Sequence, residues 1–374
     1  MNVGDIRAAH ATDADWRVAA AACLQALGLE GGAANLGFVY ASDVFAPHFP
    51  DIAAFLRDNT GIEHWVGSVG LGVCATGVEY FDTPALCLLT GRFPREAFRV
   101  FSPIVGDLQA FEASHGAWCD QSQARFAMVH ADPHTPGVDV LVDALCERMD
   151  GGFVVGGLTS SRGAHAQLAD VVTSSGLSGV LFGPQVSVAT RLTQGCSPLG
   201  PRHEITRCRG NLLMQLDGQP ALDVFNQDIG QVLAGDPSRL GATVFAGLAV
   251  KGSDTGDYLV RNLAGMDQDQ RVLAIADLVE EGDQVMFCRR DAVAAEKDMR
   301  RMLTELAGAL EGPPLGGIYY TCLARGPNLL GTDSQELKLI EEVLGSFPLV
   351  GFFGNGEISH NRLYGYTGVL TLFV

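Results

Sequence analysis

One segment design occurs three times along this chain, and it limits the possible folds more than any other feature. Each copy is an amphipathic helix, a short polar or glycine break, and a brief apolar strand ending in glycine. The first copy runs from Ile52-Ala-Ala-Phe-Leu to Trp65-Val-Gly-Ser-Val-Gly-Leu-Gly. The second runs from a helix carrying Val138, Leu141, Val142, Leu145 and Met149 to Phe153-Val-Val-Gly-Gly. The third runs from a helix carrying Leu337, Ile340 and Leu344 to Leu349-Val-Gly-Phe-Phe-Gly-Asn-Gly-Glu. A helix leading into a short, wholly apolar strand calls for layered α/β sheets covered by helices, with the glycine-tipped strand ends gathered on one side. The spacing of the copies is irregular, which excludes a solenoid.

Other elements follow from the same reasoning. Asn35 to Tyr40, Ala85 to Thr90, Phe126 to His130, Phe153 to Gly156 and Val244 to Val250 are short apolar runs bounded by turn residues, and they read as buried strands. Met299, Met302, Leu303, Leu306 and Leu310 mark a further amphipathic helix, and Asp13 to Leu27 reads as a first helix stopped by Gly28. Asn211 to Leu216 reads as a strand closed by an Asp217-Gly218 turn, since both turn positions tolerate positive φ.

Composition narrows the function classes. The chain has 374 residues, 47% of them hydrophobic, enough to fill two cores. It carries 25 basic against 43 acidic residues, a net charge of −18, and no basic run, which argues against nucleic-acid binding. Nine cysteines are scattered without a Cys-x-x-Cys pair, the pattern of free thiols in a reducing, cytoplasmic compartment. Early acids at Asp5, Asp13 and Asp15 do not fit a signal peptide. No apolar stretch is long enough to span a membrane, so no membrane insertion is expected.

The motifs that could carry chemistry are few. Gly70-Leu-Gly72-Val-Cys-Ala75 has the spacing of a dinucleotide fingerprint, but the residues after it do not start a helix, so no phosphate site is expected. Cys196, His203 and Cys208 match no zinc spacing, so neither metal nor cofactor is expected. Cys322 ends an apolar strand close to Arg325 and Gly326, which makes it a candidate reactive thiol. Gly354-Asn355-Gly356-Glu357, with Ser359 and Asn361 beyond, is a glycine turn able to present N–H groups and two side chains to a small ligand. Arg261-Asn262 lies inside an apolar segment, where an arginine needs an anionic partner, internal or bound.

Together these residues resemble the FIST family. Gln194-Gly-Cys-Ser-Pro-Leu-Gly-Pro201 and Leu216-Asp217-Gly218-Gln-Pro220 are similar to the end of a FIST N-terminal domain. Phe245-Ala-Gly-Leu-Ala, Tyr258-Leu-Val-Arg261-Asn262-Leu, Gly282-Asp-Gln-Val-Met-Phe287, Cys322 with Arg325-Gly326, and Gly354-Asn-Gly-Glu357 are similar to a FIST C-terminal domain. Gly67-Ser-Val-Gly70 through Glu79 resembles the family's Gly-Cys-Ser-x-x-Gly-Glu turn, with Ser68 in place of the cysteine.

The resemblance implies an α/β (α+β) chain of two layered domains, with mixed β-sheets flanked by helices. The expected segments are an N-terminal helical extension over 1–34, a FIST N-terminal domain over 35–220 and a FIST C-terminal domain over 221–374. It further implies a stand-alone sensory or signal-transduction protein and not an enzyme. The expected ligand is an amino acid or similar small polar metabolite held between the domains, with the signal passed to a protein partner. The expected ligand-binding residues are Arg261, Asn262, Cys322, Arg325, Gly326, Gly354, Asn355, Gly356, Glu357 and Asn361. Two alternatives stand beside this reading: a cysteine-dependent enzyme using Cys322, and a protein-recruiting adaptor with no small ligand.

Overall fold

The computed structural model describes residues 3–29, 34–149, 151–230, 244–250 and 258–374. The chain divides into two compact units: residues 1–193 with 298–374, and residues 194–297. Both mix helices with sheets, as the α+β expectation required.

The larger unit is a threefold repeat. The first repeat comprises β1 (Gly4–Thr12), α1 (Trp16–Leu27), β2 (Leu36–Ser42), α2 (Phe49–Thr60), β3 (His64–Gly70), β4 (Gly72–Ala75), β5 (Val78–Phe81) and β6 (Ala85–Arg92). The second comprises β7 (Phe98–Ile104), a helical stretch ending in α3 (Ala117–Ser122), β8 (Phe126–Ala131), α4 (Val138–Arg148), β9 (Phe153–Leu158), β10 (Gln167–Ala169), β11 (Val171–Thr173) and β12 (Leu177–Phe182). The third opens with β13 (Val188–Gln194).

The smaller unit then interrupts that repeat. It holds β14 (Cys196–Pro198), β15 (His203–Arg209), β16 (Leu212–Leu216), β17 (Gln219–Pro220), α5 (Ala221–Ile229), β18 (Val244–Ala249), β19 (Tyr258–Asp267), β20 (Val272–Ile275) and β21 (Gln284–Arg290). The third repeat resumes with α6 (Ala292–Ala309), β22 (Gly316–Cys322), α7 (Gln335–Leu344), β23 (Leu349–Gly354), β24 (Glu357–His360), β25 (Arg362–Tyr364) and β26 (Thr367–Phe373).

The sheet orders make the repeat plain. They are β1-β6-β2-β3-β10-β11, β7-β12-β8-β9-β24-β25 and β13-β26-β22-β23-β4-β5. In each, a helix crosses over between two parallel central strands: β2 with β3, β8 with β9, β22 with β23. These crossovers are the helix–strand–glycine segments legible in the sequence. Each repeat also lends a hairpin to another repeat. The first lends β4-β5 to the third, the second lends β10-β11 to the first, and the third lends β24-β25 to the second.

One glycine recurs at the centre of each parallel pair. Gly67, Gly156 and Gly351 lie opposite Val39, Val129 and Tyr319, and a Cβ on any of them would overlap that partner's carbonyl oxygen. The same alignment superposes Tyr40, His130 and Tyr320, the next residues along the first parallel strands. Their side chains meet. The Tyr40 hydroxyl lies 3.1 Å from His130 Nε2 and donates to the Tyr320 hydroxyl at 3.1 Å. The three rings stand 5.5–6.2 Å apart in edge-to-face arrangements. Burial pushes the His130 pKa down to about 3, so this inner pin is neutral.

Inner-face residues from all three repeats, including Phe38, Met128 and Ile318, share one core around that pin. Each sheet buries its other face under its own helices. Trp16, Cys23, Ile52 and Leu56 cover the first. Leu141, Val142 and Leu145 cover the second. Met299, Leu303, Leu306, Leu337 and Ile340 cover the third.

The first 34 residues differ from the expected helical extension. The helix is present as α1, capped by Asp15 and ended by Gly28 in the left-handed conformation. Ahead of it stands β1, paired antiparallel with β6 from Gly4 to Thr12. Its polar, irregular burial pattern hid it from a search for apolar runs. Residues 1, 2 and 30–33 of that segment lie outside the described residues. Pro220, where the sequence suggests a boundary, lies within the smaller unit, directly ahead of α5. The Asp217-Gly218 turn forms with φ of 48° and 77°.

The smaller unit packs α5 on an eight-stranded sheet around Ile205, Leu216, Phe225, Ala246 and Phe287. His203 sits in that unit between Asp217 (2.7 Å) and Asp228 (2.9 Å). Burial alone would lower its pKa, but the two carboxylates prevail and raise it.

Candidate functional site

In the third repeat, β22 runs as a fully buried apolar strand to Cys322, and α7 begins thirteen residues later at Gln335. The first turn of α7 points Glu336 inward instead of outward, where it is completely buried. Its Oε1 accepts hydrogen bonds from the Tyr319 hydroxyl (2.5 Å), the Thr321 hydroxyl (3.2 Å) and Arg325 Nε (2.7 Å). Its Oε2 accepts from the Gly326 amide at 2.8 Å. Arg325 is equally buried, with a relative side-chain exposure of 0%, so the two form an ion pair without water. Burial alone would lower the Arg325 pKa, but the Glu336 charge beside it outweighs this and raises it.

Helix α7 has no side-chain cap of its own. Glu79 on β5, brought here by the hairpin the first repeat lends, accepts from the amides of Glu336 (3.0 Å) and Leu337 (3.3 Å). Ser334 returns the bond by accepting from the Glu79 amide at 2.9 Å. The orphan donors of the helix start are thus met from another repeat. Burial and the Glu336 charge push the Glu79 pKa up to about 7.

Glu357 opens β24 and is also fully buried. Its Oε2 accepts from the Thr367 hydroxyl (2.7 Å) and amide (3.2 Å). Its Oε1 has no partner, and neither has Arg325 Nη1. Burial pushes the Glu357 pKa up to about 8 against the pull of Thr367 and Arg325. The Cys322 thiol feels both groups. Burial, then the Glu357 charge, push its pKa up to about 12. A thiol so held is protonated at neutral pH and is not an activated nucleophile.

Of the residues singled out in the sequence, the structure brings Cys322, Arg325, Gly326, Gly354 and Glu357 to this end of the third repeat; the Gly354 carbonyl accepts from the Leu323 amide at 3.0 Å. Asn355 and Gly356 instead stitch the turn to the end of β9. The Asn355 amide group donates to the Thr159 carbonyl (2.9 Å), and the Gly356 carbonyl accepts from the Leu158 amide (2.8 Å). Asn361 donates to Asp143 on α4 at 2.8 Å. Arg261 and Asn262 lie on β19 of the smaller unit, where Arg261 pairs with Asp277 at 2.6 Å. Glu336 escaped sequence reasoning because an acid in the first turn of an amphipathic helix reads as a solvated face; only its position after Arg325-Gly326 hinted otherwise. Gly70-Leu71-Gly72 passes from β3 into β4 with no helix behind it, so the fingerprint spacing there presents no helix N-terminus.

Comparison with known proteins identifies the family. The FIST N domain matches residues 35–219, and the FIST C domain matches residues 221–360. The chain belongs to the FIST family. FIST domains are associated with sensory signal transduction. Among similar proteins is the Uncharacterized protein Rv0628c of Mycobacterium tuberculosis, 32% identical over 361 residues, covering 92% of this chain and 93% of that protein. Another is the Uncharacterized protein Mb0898c of Mycobacterium bovis, 28% identical over 361 residues, with 92% of each chain covered. The family boundary near residue 220 falls inside the smaller unit, so the two FIST segments and the two compact units divide the chain differently. No helix among the described residues is long and apolar enough to cross a membrane.

Proposed function

We propose that this FIST chain is a sensory protein that binds a small zwitterion, an amino acid or close analogue, at the buried polar cluster of the third repeat. One observation carries the reading. Arg325 Nη1 and Glu357 Oε1, in one electrostatically coupled cluster, are both fully buried and both lack a partner. Each such group costs about 1–3 kcal/mol when left unmet. A ligand carboxylate on Arg325 and an ammonium group on Glu357 would satisfy both. The site lies wholly within the larger unit, so the reading needs neither Arg261 nor Asn262. Because the cluster is closed, ligand entry requires a movement of the surrounding elements, and that movement is the signal offered to a protein partner. The nine free thiols support a cytoplasmic setting. A Cys322-dependent catalyst finds less support, because that thiol keeps its proton.

Calorimetry at pH 7 in two buffers of different ionisation enthalpy, with a panel of amino acids and organic acids, tests the reading. Empty, Glu357 holds its proton up to about pH 8, so an ammonium group that binds there drives it off. The expected result is saturable binding of an amino acid with release of up to one proton per chain, lost in Glu357→Gln and in Arg325→Gln. Silence across the panel would overturn the reading, and so would undiminished binding to Glu357→Gln. Binding by carboxylates alone, with no proton released, would overturn the zwitterion.

A further inference from the structure

Ser42, Asp132 and Cys322 stand at equivalent positions, each three places beyond the residue that faces the recurrent glycine: Ser42 and Cys322 close β2 and β22, and Asp132 directly follows β8. In the first repeat the Ser42 hydroxyl only closes a turn, donating to the Thr83 carbonyl (2.7 Å) and accepting from the Ala85 amide (3.0 Å). In the second repeat the position holds a carboxylate, and two imidazoles converge on it. We propose that Asp132, His134 and His165 form a binding site for a divalent transition-metal ion of the zinc, cobalt or nickel class.

Asp132 is nearly buried, with a side-chain exposure of 11%, whereas His134 is 73% exposed. Asp132 Oδ1 accepts from the His134 amide and lies 3.0 Å from His134 Nδ1. That separation is close to the distance between neighbouring ligand atoms on a metal with bonds of about 2.1 Å. His165 arrives from the loop between β9 and β10 and sets its ring 4.8 Å from that of His134, at 73°. One ligand atom from each of the three residues lies within 4.8 Å of the other two. A cation therefore needs only small side-chain rotations to bind all three.

The supporting contacts favour this chemistry. His165 Nδ1 lies 3.1 Å from the Thr159 hydroxyl and 3.2 Å from the Thr159 carbonyl. A proton on Nδ1 shared with that carbonyl leaves Nε2 unprotonated, the form that ligates a metal, and fixes the ring's orientation. Two imidazoles and one carboxylate suit borderline cations better than magnesium or calcium, which prefer all-oxygen sets. The guanidinium of Arg162, three residues before His165, is engaged by Asp43 and Asp82. The exposed side of His134 leaves coordination positions open to water. The Thr159 carbonyl also accepts from Asn355, two residues before Glu357, so the metal position and the third-repeat hairpin share one backbone group.

The full chain, stripped with a chelator, is titrated with Ni²⁺ and with Co²⁺ by calorimetry and visible absorption. Wild type and the His134→Ala, His165→Ala and Asp132→Asn variants are compared so that the nine thiols cancel. The expected result is one ion per chain, with affinity falling at least tenfold in each histidine variant while circular dichroism is unchanged. No saturable binding in the wild type overturns the proposal, and equal affinity in wild type and both histidine variants does the same. If Asp132→Asn fails to fold, the histidine variants alone decide, since both side chains lie outside the core.

Discussion

The ends of β8 and β22 occupy one place in the threefold plan and have opposite characters. At β8, Asp132 meets two imidazoles at the surface. At β22, Cys322 heads a cluster in which Arg325, Glu336 and Glu357 are wholly buried. The backbone beneath is the same: two parallel strands, a crossover helix and a glycine under a carbonyl. The repeat therefore fixes where chemistry can stand, and the local sequence decides whether the groups placed there face water or each other. A buried charge must find a partner within the protein or in a ligand, whereas an exposed imidazole can wait for either.

The comparison breaks most visibly at Arg325. Arg325→Met leaves Glu336 buried without its cation, and stability should fall by about 3–5 kcal/mol in denaturant unfolding. A loss below about 1 kcal/mol would show that water reaches the cluster. Next come the recurrent glycines. Gly67→Ala, Gly156→Ala and Gly351→Ala should each cost about 1–3 kcal/mol, and to a similar degree, because the same carbonyl blocks each Cβ. Unequal losses would mean the repeats are alike in topology but not in packing.

The third expected effect is on pH dependence. The Glu357 pKa is raised on folding, from about 4.3 in an unfolded chain to about 8 in the folded protein. The folded chain then holds a proton that the unfolded chain has lost. The stability this gives is full below about pH 4 and disappears as pH rises towards 8, at up to about 1.4 kcal/mol per pH unit. Glu357→Gln should flatten the fall of the melting temperature between pH 5 and pH 8. An unchanged slope would remove Glu357 from the account. Glu79, raised in the same direction, keeps some slope in that variant. The smallest effect is the exposed counterpart: Arg162→Ala removes two ion pairs, to Asp43 and Asp82, whose arginine is 57% exposed, and should change stability by less than about 1 kcal/mol.

Much of this plan is legible in the sequence because it is local. The three crossover helices show as spaced Leu, Val and Ile, and the strands after them as Val-Gly runs. The glycine is forced by the neighbouring strand, so it recurs whatever else changes. What is not legible depends on distant partners. Hairpin strands such as β10 and β24 are three or four residues long, and nothing local says which sheet they join. β1 alternates poorly because it pairs along only one side, at the sheet's edge. At the site, Arg325 stood out beside Cys322 at a strand end, and Glu357 stood out in a glycine turn. Glu336 did not, because an acid in a helix's first turn reads as solvated, and the capping role of Glu79 did not, because it rests on a contact between residues 257 positions apart in sequence.

The exchange of hairpins has a consequence for how the chain is made. The first repeat's sheet waits for β10, the second's for β24, and β4 for a strand that begins at Leu349. The first two sheets of the larger unit are incomplete when their own repeats leave the ribosome, and the third is closed only by β26 (Thr367–Phe373). A nascent chain of this kind carries unpaired edges through most of its synthesis, so loss of β26 should harm it more than loss of as many residues from a surface loop.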